Sequence, residues 1–119
     1  MKRLPVNIVP KDWGSEEWIV NNDLYCGKIL RINAGHFSSW HYHKLKTETF
    51  RVLKGILGVR YSLQDELTDA NYVYLQPGDC MDIPIGMRHR LTAINGDVEF
   101  IEISTHHEDS DSYRLINGA

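Results

Sequence analysis

Turn-forming residues recur along the whole chain and leave room only for short structural elements. Signals built on Gly, Pro and Asn fall at residues 33–35, 54–55, 76–79, 84–86 and 95–97. Between them lie short runs rich in β-branched, aromatic and aliphatic residues, at 27–32, 48–53, 57–62, 72–75, 80–83, 90–94 and 98–104. No stretch of a dozen residues carries a clean helical period. Short strands at this spacing predict an all-β sandwich or barrel.

Alternation within these runs indicates which side chains face the core. In the run 48–53, Glu48, Phe50 and Val52 share one face of the predicted strand because side chains alternate with period two. The same counting places Leu91 and Ile101 on the inward faces of later strands. We therefore expect the apolar members of this group to be buried, with Glu48 on the same side as Phe50 and Val52.

Local signals add a hairpin and two helical turns to the strand pattern. Asn95-Gly96 separates two strand-like runs and predicts a two-residue hairpin turn. Short helical turns are predicted at 13–19 and 64–70, where Ser15 and Asp65 are candidate N-cap residues.

Length, charge and cysteine content exclude several classes of protein. A chain of 119 residues suits one domain, and a net charge of −3 argues against a nucleic-acid partner and against a polybasic membrane anchor. No apolar run approaches the roughly 20 residues of a membrane span. Pro5, Asn7 and Pro10 interrupt the apolar segment that a signal peptide would need. With two cysteines there is no disulfide framework, so we expect a cytoplasmic protein.

Six histidines are the feature that composition does not explain, and three of them form a candidate metal site with one carboxylate. His41 and His43 are two residues apart, so on a strand they project from the same face. Glu48 opens the next strand-like run, and His89 follows the turn at 84–86. Imidazole and carboxylate are ligands of divalent first-row metals. An isolated His-x-His is equally compatible with exposed histidines on a strand.

The glycines and proline around these residues favour the metal site over exposed histidines. Their spacing resembles the two signature motifs of the cupin superfamily: Gly35, His41, His43, Glu48 and Gly55 in the first motif, then Gly78, Pro84, Gly86 and His89 in the second. The glycines are expected at chain reversals where φ is positive or the backbone passes close to another strand. One departure is visible, because the second motif often ends in Asn where this chain has Ala93.

The resemblance implies a cupin double-stranded β-helix, which is a jelly-roll-like barrel. It implies a single domain over residues 1–119, with a barrel at about 25–104, an N-terminal arm at 1–24 and a C-terminal tail at 105–119. It also implies a bound Zn, Mn, Fe(II), Co or Ni ion in the barrel mouth, and a homodimer. The metal ligands would be His41, His43, Glu48 and His89.

Both ends of the chain resemble those of the cupin domain of type II phosphomannose isomerases. Residues 12–15 read Asp-Trp-Gly-Ser, where that family has Pro-Trp-Gly-Ser, and an acidic run at 108–111 precedes Arg114. The likeness implies a metal-dependent isomerase of a sugar or sugar phosphate, with Arg114 at the substrate. Lys44 and Arg88 are further candidate substrate-binding cations, with Lys46 and Arg90 nearby. The charges of Lys44 and Lys46 also fit a solvated loop.

The sequence leaves the general base and the reaction open. Candidate bases are His36, His106, His107 and Glu108. The first alternative to the isomerase is an Fe(II)-dependent cupin dioxygenase. The second is a non-catalytic cupin that binds a sugar or another small ligand.

Overall fold

The computed structural model describes all of residues 1–119, and its regular secondary structure is almost entirely antiparallel β-strand. The strands are β1 (Ile8–Lys11), β2 (Gly14–Asn21), β3 (Cys26–Ile32), β4 (Trp40–Tyr42), β5 (Glu48–Ser62), β6 (Asn71–Leu75), β7 (Cys80–Ile83), β8 (Arg88–Ser104) and β9 (Tyr113–Ile116). Two short 3-10 helices span Leu67–Asp69 and Asp109–Asp111. No helix of this structure has the length and apolar character needed to cross a membrane.

Two long strands organise the barrel. β5 and β8 lie antiparallel along their whole length, from the Glu48–Ser104 pair to the Ser62–Arg88 pair. In one half of the molecule β1, β2, β3, β8, β5 and β7 are neighbours in that order. In the other half the order is β9, β4, β8, β5 and β6. The two halves curl around one core, so the predicted all-β barrel is confirmed.

The predicted hairpin at Asn95-Gly96 is wrong. β8 continues through both residues, and its register with β5 is irregular between Val52 and Ile56. Asn95 and Gly96 have φ values of 56° and 141°, which here bend the strand from one half of the barrel into the other instead of reversing the chain. The two positive-φ residues therefore form a β-bulge within a long strand and not a hairpin turn.

The core is a cluster of twelve buried apolar residues: Leu30, Ile32, Phe50, Val52, Leu57, Val59, Leu75, Ile83, Leu91, Ala93, Val98 and Phe100. The expected burial of Phe50, Val52 and Leu91 is confirmed. The expectation for Ile101 is wrong, since Phe100 and Glu102 on either side of it are the inward residues. The bulge at Asn95-Gly96 sets the phase of this half of β8, which the sequence alternation alone does not give.

The predicted helical turn at 13–19 is also wrong, because Gly14–Asn21 is the strand β2. The turn at 64–70 contains the 3-10 helix Leu67–Asp69, but the Asp65 side chain does not cap it. Asp65 instead accepts a hydrogen bond from Arg88. Pairing of β2 with both β1 and β3 outweighs the weak helical propensity of its sequence.

The two ends of the chain add strands to the barrel. The N-terminal arm supplies β1 and β2 to one edge. The C-terminal tail returns across the opposite end, where β9 pairs with β4 and the last residue exchanges backbone hydrogen bonds with Phe37. This return brings the tail to the strand that carries His41. The homodimer stays a prediction.

Two glycines of the first cupin-like motif provide a matched test of the fold. Gly35 and Gly55 have φ values of +81° and +80°, but a Cβ at Gly35 would meet nothing within 4 Å, whereas one at Gly55 would lie 2.2 Å from the carbonyl oxygen of Asp97. Gly35→Ala should therefore cost only the left-handed backbone penalty, about 1–2 kcal/mol. Gly55→Ala should cost about 3 kcal/mol or more, since backbone must move as well.

Urea unfolding followed by circular dichroism measures both free energies. Equal losses in the two variants would contradict the close approach of β5 and β8 at Gly55.

Candidate metal-binding site

Strand pairing brings the four predicted donors to one end of the barrel. His41 lies in β4 directly opposite His89 in β8. His43 follows β4, and its carbonyl oxygen accepts a hydrogen bond from the backbone N–H of Gly86. One ring nitrogen from each of the three histidines lies within 4.8 Å of those of the other two. Glu48, the first residue of β5, lies beside His43 and His89.

Backbone carbonyls lie against one ring nitrogen of each imidazole. The Nδ1 atoms of His41, His43 and His89 lie 3.0, 3.0 and 2.9 Å from the carbonyl oxygens of Ser39, Asp111 and Met87. A carbonyl only accepts, so the Nδ1 atoms of His43 and His89 donate, and their Nε2 atoms are left for another partner. His41 Nδ1 also lies 2.9 Å from the Ser39 hydroxyl, which can donate or accept. This is the arrangement by which second-layer carbonyls orient histidine ligands toward a metal.

The Glu48 carboxylate presents an unsatisfied oxygen to these lone pairs. Its Oε1 atom is buried, lies 3.0 Å from His43 Nε2 and 3.2 Å from His89 Nε2, and forms no hydrogen bond. An unpartnered carboxylate oxygen beside several lone pairs is costly in a buried site unless a cation joins them. These residues therefore fit a divalent metal ion.

Protonation in the site also favours a cation. Burial, helped by the neighbouring His89 and His43, holds the pKa of His41 well below its usual range, so the ring is neutral at pH 7. A neutral imidazole presents a lone pair that a divalent ion can bind.

The donors open into a cavity of about 480 Å³. Its wall includes serine and apolar side chains, but charged and ionisable residues are the majority of the lining. Beyond the four donors, the charged and ionisable lining residues are Lys11, Glu16, Lys28, Lys46, Glu102, His107, Asp109 and Arg114. A volume of this size accommodates a small polar molecule.

Lys46 is the centre of a buried charge network next to the donors. It is 3% exposed, and its Nζ atom lies 3.1 Å from Glu102, 2.9 Å from His107 Nδ1 and 3.7 Å from Glu48. Burial opposes its charge, but Glu102 and Glu48 raise the pKa of Lys46. Burial, followed by the charge of Glu48, raises the pKa of Glu102 to about 7. Burial and the neighbouring Lys46 lower the pKa of His107 to about 4.

Asp111 ties the C-terminal segment to the loop between His43 and Glu48. Its buried carboxylate accepts hydrogen bonds from the backbone N–H groups of Lys44, Leu45 and Lys46 at 2.9–3.2 Å. Its carbonyl oxygen is the group that accepts from His43 Nδ1. One residue therefore fixes both the loop and the orientation of a donor ring.

Of the three predicted substrate-binding cations, the structure places one in the cavity. Arg114 lines the cavity, opposite His41 in the β4–β9 pair. Lys44 is exposed and lies over the ring of Tyr113, and Arg88 is held by Asp65 and stacks on Tyr42. Neither lines the cavity, so the geometry gives no support to a substrate contact by Lys44 or Arg88.

The alternative expectation of a solvated loop fits Lys44 but is wrong for the buried Lys46. Among the candidate bases, His107 lines the cavity, whereas His36, His106 and Glu108 do not. The sequence analysis missed Lys28 and Glu102. Their signal was present, since Lys28 alternates with Leu30 and Ile32, but a lysine on an apolar face was not read as inward.

Comparison with known proteins finds the fold but no relative by sequence. No protein-family model matches the chain, and no curated protein matches it significantly. Among solved structures, the capsular polysaccharide assembling protein CapF from Staphylococcus aureus superposes with a TM-score of 0.83 at 21% identity, over 96% of this chain and 32% of CapF. An oxalate decarboxylase from Bacillus subtilis gives 0.79 at 19% identity, over 92% of this chain and 30% of that chain.

A third match, KdgF from Halomonas sp., is of similar length to this protein. It gives a TM-score of 0.73 at 15% identity, over 87% of this chain and 91% of KdgF. The present chain thus spans about a third of CapF and of the oxalate decarboxylase, and nearly all of KdgF. All three are cupin-fold proteins.

The chain is a cupin-fold protein. Within its barrel, three histidines form a group able to hold a metal ion. The three matched proteins are not phosphomannose isomerases, so the likeness of the chain ends to that family stays a prediction.

Proposed function

We propose that the protein is a divalent-metal-dependent enzyme that isomerises a small anionic sugar, of the aldose–ketose type. The ion would be held by His41, His43, Glu48 and His89. The observation that carries the proposal is the convergence of these donors on the buried, unpartnered Glu48 oxygen at the wall of a charged cavity.

The charge of the cavity supports an anionic substrate. Four cationic side chains line it, namely Lys11, Lys28, Lys46 and Arg114, and four carboxylates balance them, namely Glu16, Glu48, Glu102 and Asp109. A divalent ion held by the four donors would add two positive charges to this formally balanced set. A phosphorylated or carboxylated sugar would neutralise them, and Arg114 could bind its anionic group through two parallel hydrogen bonds.

The chemistry of such an isomerisation is a proton transfer between adjacent carbons. A divalent ion supplies Lewis acidity that polarises the carbonyl and hydroxyl oxygens of the substrate. The protein must then accept and return a proton. Glu102 and His107 are cavity groups able to do this, and Lys46 connects them through its two hydrogen bonds.

The matched structures support a small oxygen-rich ligand. CapF is described as a capsular polysaccharide assembling protein, which favours a carbohydrate. The oxalate decarboxylase is named for a small dicarboxylate, which favours an anion. These likenesses support the class of ligand, and the proton transfer is our own inference from the cavity.

The test is turnover by the metal-loaded protein. After reconstitution with Mn, Fe(II), Co, Ni or Zn, we expect incubation of an aldose 6-phosphate in heavy water to give the ketose with deuterium at the carbon that gains the proton. Proton NMR measures this exchange, and an oxygen electrode run in parallel should record no uptake. Oxygen consumption with Fe(II) would instead establish the dioxygenase. Sugar binding without exchange would establish a non-catalytic binder.

A further inference from the structure

One buried lysine of the cavity has no hydrogen bond within the protein. Lys28 is an inward residue of β3 and is 2% exposed. Its Nζ atom lies 3.5 Å from Glu16 Oε1 and 4.2 Å from the centre of the Trp18 ring. That Glu16 oxygen already accepts a hydrogen bond from Trp18 Nε1 at 2.9 Å. The ammonium group of Lys28 therefore has one loose ion pair in the protein, and none of its three N–H donors forms a short hydrogen bond.

Lys46 provides a comparison within the same cavity. It is buried to the same degree, but it reaches Glu102 at 3.1 Å and His107 Nδ1 at 2.9 Å. Two of its three N–H donors are thus occupied by the protein itself. Of the two buried lysines that line the cavity, only Lys28 keeps its donors free for a ligand.

An ammonium group buried in this way is unfavourable for folding. Removing a charge from water without giving it hydrogen bonds costs free energy, and a loose ion pair with Glu16 offsets only part of that cost. Local violations of this kind occur at functional sites, where a ligand supplies the missing partner. Because the group is charged, an anionic oxygen satisfies it better than a hydroxyl does.

We propose that Lys28 is the residue that selects for an acid group on the ligand. Its Nζ atom binds a carboxylate or phosphate oxygen of the sugar while other oxygens of the same molecule face the metal donors. Glu16 and Trp18 hold the ammonium group in place. The proposal deepens the proposed function and rests on it, since it names the anionic class of substrate for the same cavity.

The experiment compares three probes that share one sugar ring. Isothermal titration calorimetry on the metal-loaded protein measures binding of mannose 6-phosphate, mannuronate and mannose to the wild type, Lys28→Met and Lys28→Gln. Loss of a charge-assisted hydrogen bond should weaken the preferred anionic probe by about 10- to 100-fold in both variants. Binding of neutral mannose should change by less than about threefold. The preferred probe in the wild type distinguishes a phosphate from a carboxylate.

Stability without ligand provides an independent readout. Lys28→Met removes a buried charge that has only a loose ion pair and keeps an unbranched side chain, so the variant should unfold at a temperature equal to or above that of the wild type. Lys54→Met is the matched control, since Lys54 is an exposed residue of β5 outside the cavity. It should bind all three probes like the wild type.

The outcomes separate this inference from the proposed function. A folded Lys28→Met or Lys28→Gln protein that binds the anionic probe as the wild type does would overturn the role of Lys28 alone. So would equal weakening of the anionic and neutral probes, or a marked loss of stability in Lys28→Met. A metal-loaded wild type that binds none of the three probes would overturn the proposed function together with this inference.

Discussion

Replacing His41 and His43 together with alanine is expected to abolish tight metal binding while the β-barrel persists. Each ring has its Nδ1 atom within hydrogen-bond distance of a backbone carbonyl, which leaves Nε2 for the metal. A four-ligand zinc site typically contributes about 10–16 kcal/mol, so losing two ligands should weaken binding by more than about a thousandfold. Elemental analysis after dialysis against a weak chelator, and competitive chelator titration, measure the loss.

The matched control removes two histidines that do not line the cavity. His36→Ala with His106→Ala makes the same change in composition, and it should retain the metal content of the wild type. Far-ultraviolet circular dichroism should give the same β-sheet spectrum for both double variants. Full metal retention in the His41/His43 variant would remove these residues from the donor set.

The fold could be predicted because two independent signals in the sequence agree. Alternation in the run 48–53 placed Phe50 and Val52 in the core, and both are buried. Glycine spacing then distinguished a barrel from other all-β folds. Gly55 has a φ value of +80° and lies against the backbone of Asp97, so the residue that defines the motif is also the one that the close approach of two strands requires.

The errors arose where long-range pairing decides the local structure. Asn95-Gly96 has the composition of a hairpin turn, but β5 pairs with β8 on both sides of it. The chain cannot reverse there without losing that ladder. The same bulge changes which alternate residues of β8 point inward, so that Phe100 and Glu102 are buried where the sequence predicts burial of Ile101. Neither effect is encoded within a short window of sequence.

The sequence predicts the candidate metal donors, but it does not predict the network of charged residues beside them. Spacing placed His41 and His43 on one face, and the second motif supplied His89. Lys28 and Glu102 lie outside both motifs, and they are cross-strand neighbours from β3 and β8 that meet only when the barrel closes. Sequence alternation can identify an inward lysine, but only the fold reveals whether it meets a carboxylate or a cavity.

Asp111→Ala is expected to combine a large loss of stability with weaker metal binding. The carboxylate is the acceptor for three backbone N–H groups of the loop 44–46. Leaving such groups without partners costs about 1–3 kcal/mol each, reduced where water enters, so we expect a total loss of about 3–5 kcal/mol. The metal affinity should fall by about 10- to 100-fold, because the carbonyl that orients His43 moves with the segment.

Asp111→Asn separates the two roles of this residue. An amide keeps one acceptor oxygen, so the variant should lose about 1–2 kcal/mol and retain most of its metal affinity. Asp69→Ala is the control, since Asp69 occupies the same third position in the other 3-10 helix but is exposed. Urea unfolding of the metal-free protein isolates the stability term, and chelator titration of the loaded protein isolates the effect on His43. If Asp111→Ala matched Asp69→Ala in both measurements, the C-terminal segment would have no part in holding the site. If the hydrogen bonds of Asp111 hold the site, both the free energy of unfolding and the metal affinity should be lowest in Asp111→Ala, intermediate in Asp111→Asn and highest in the wild type.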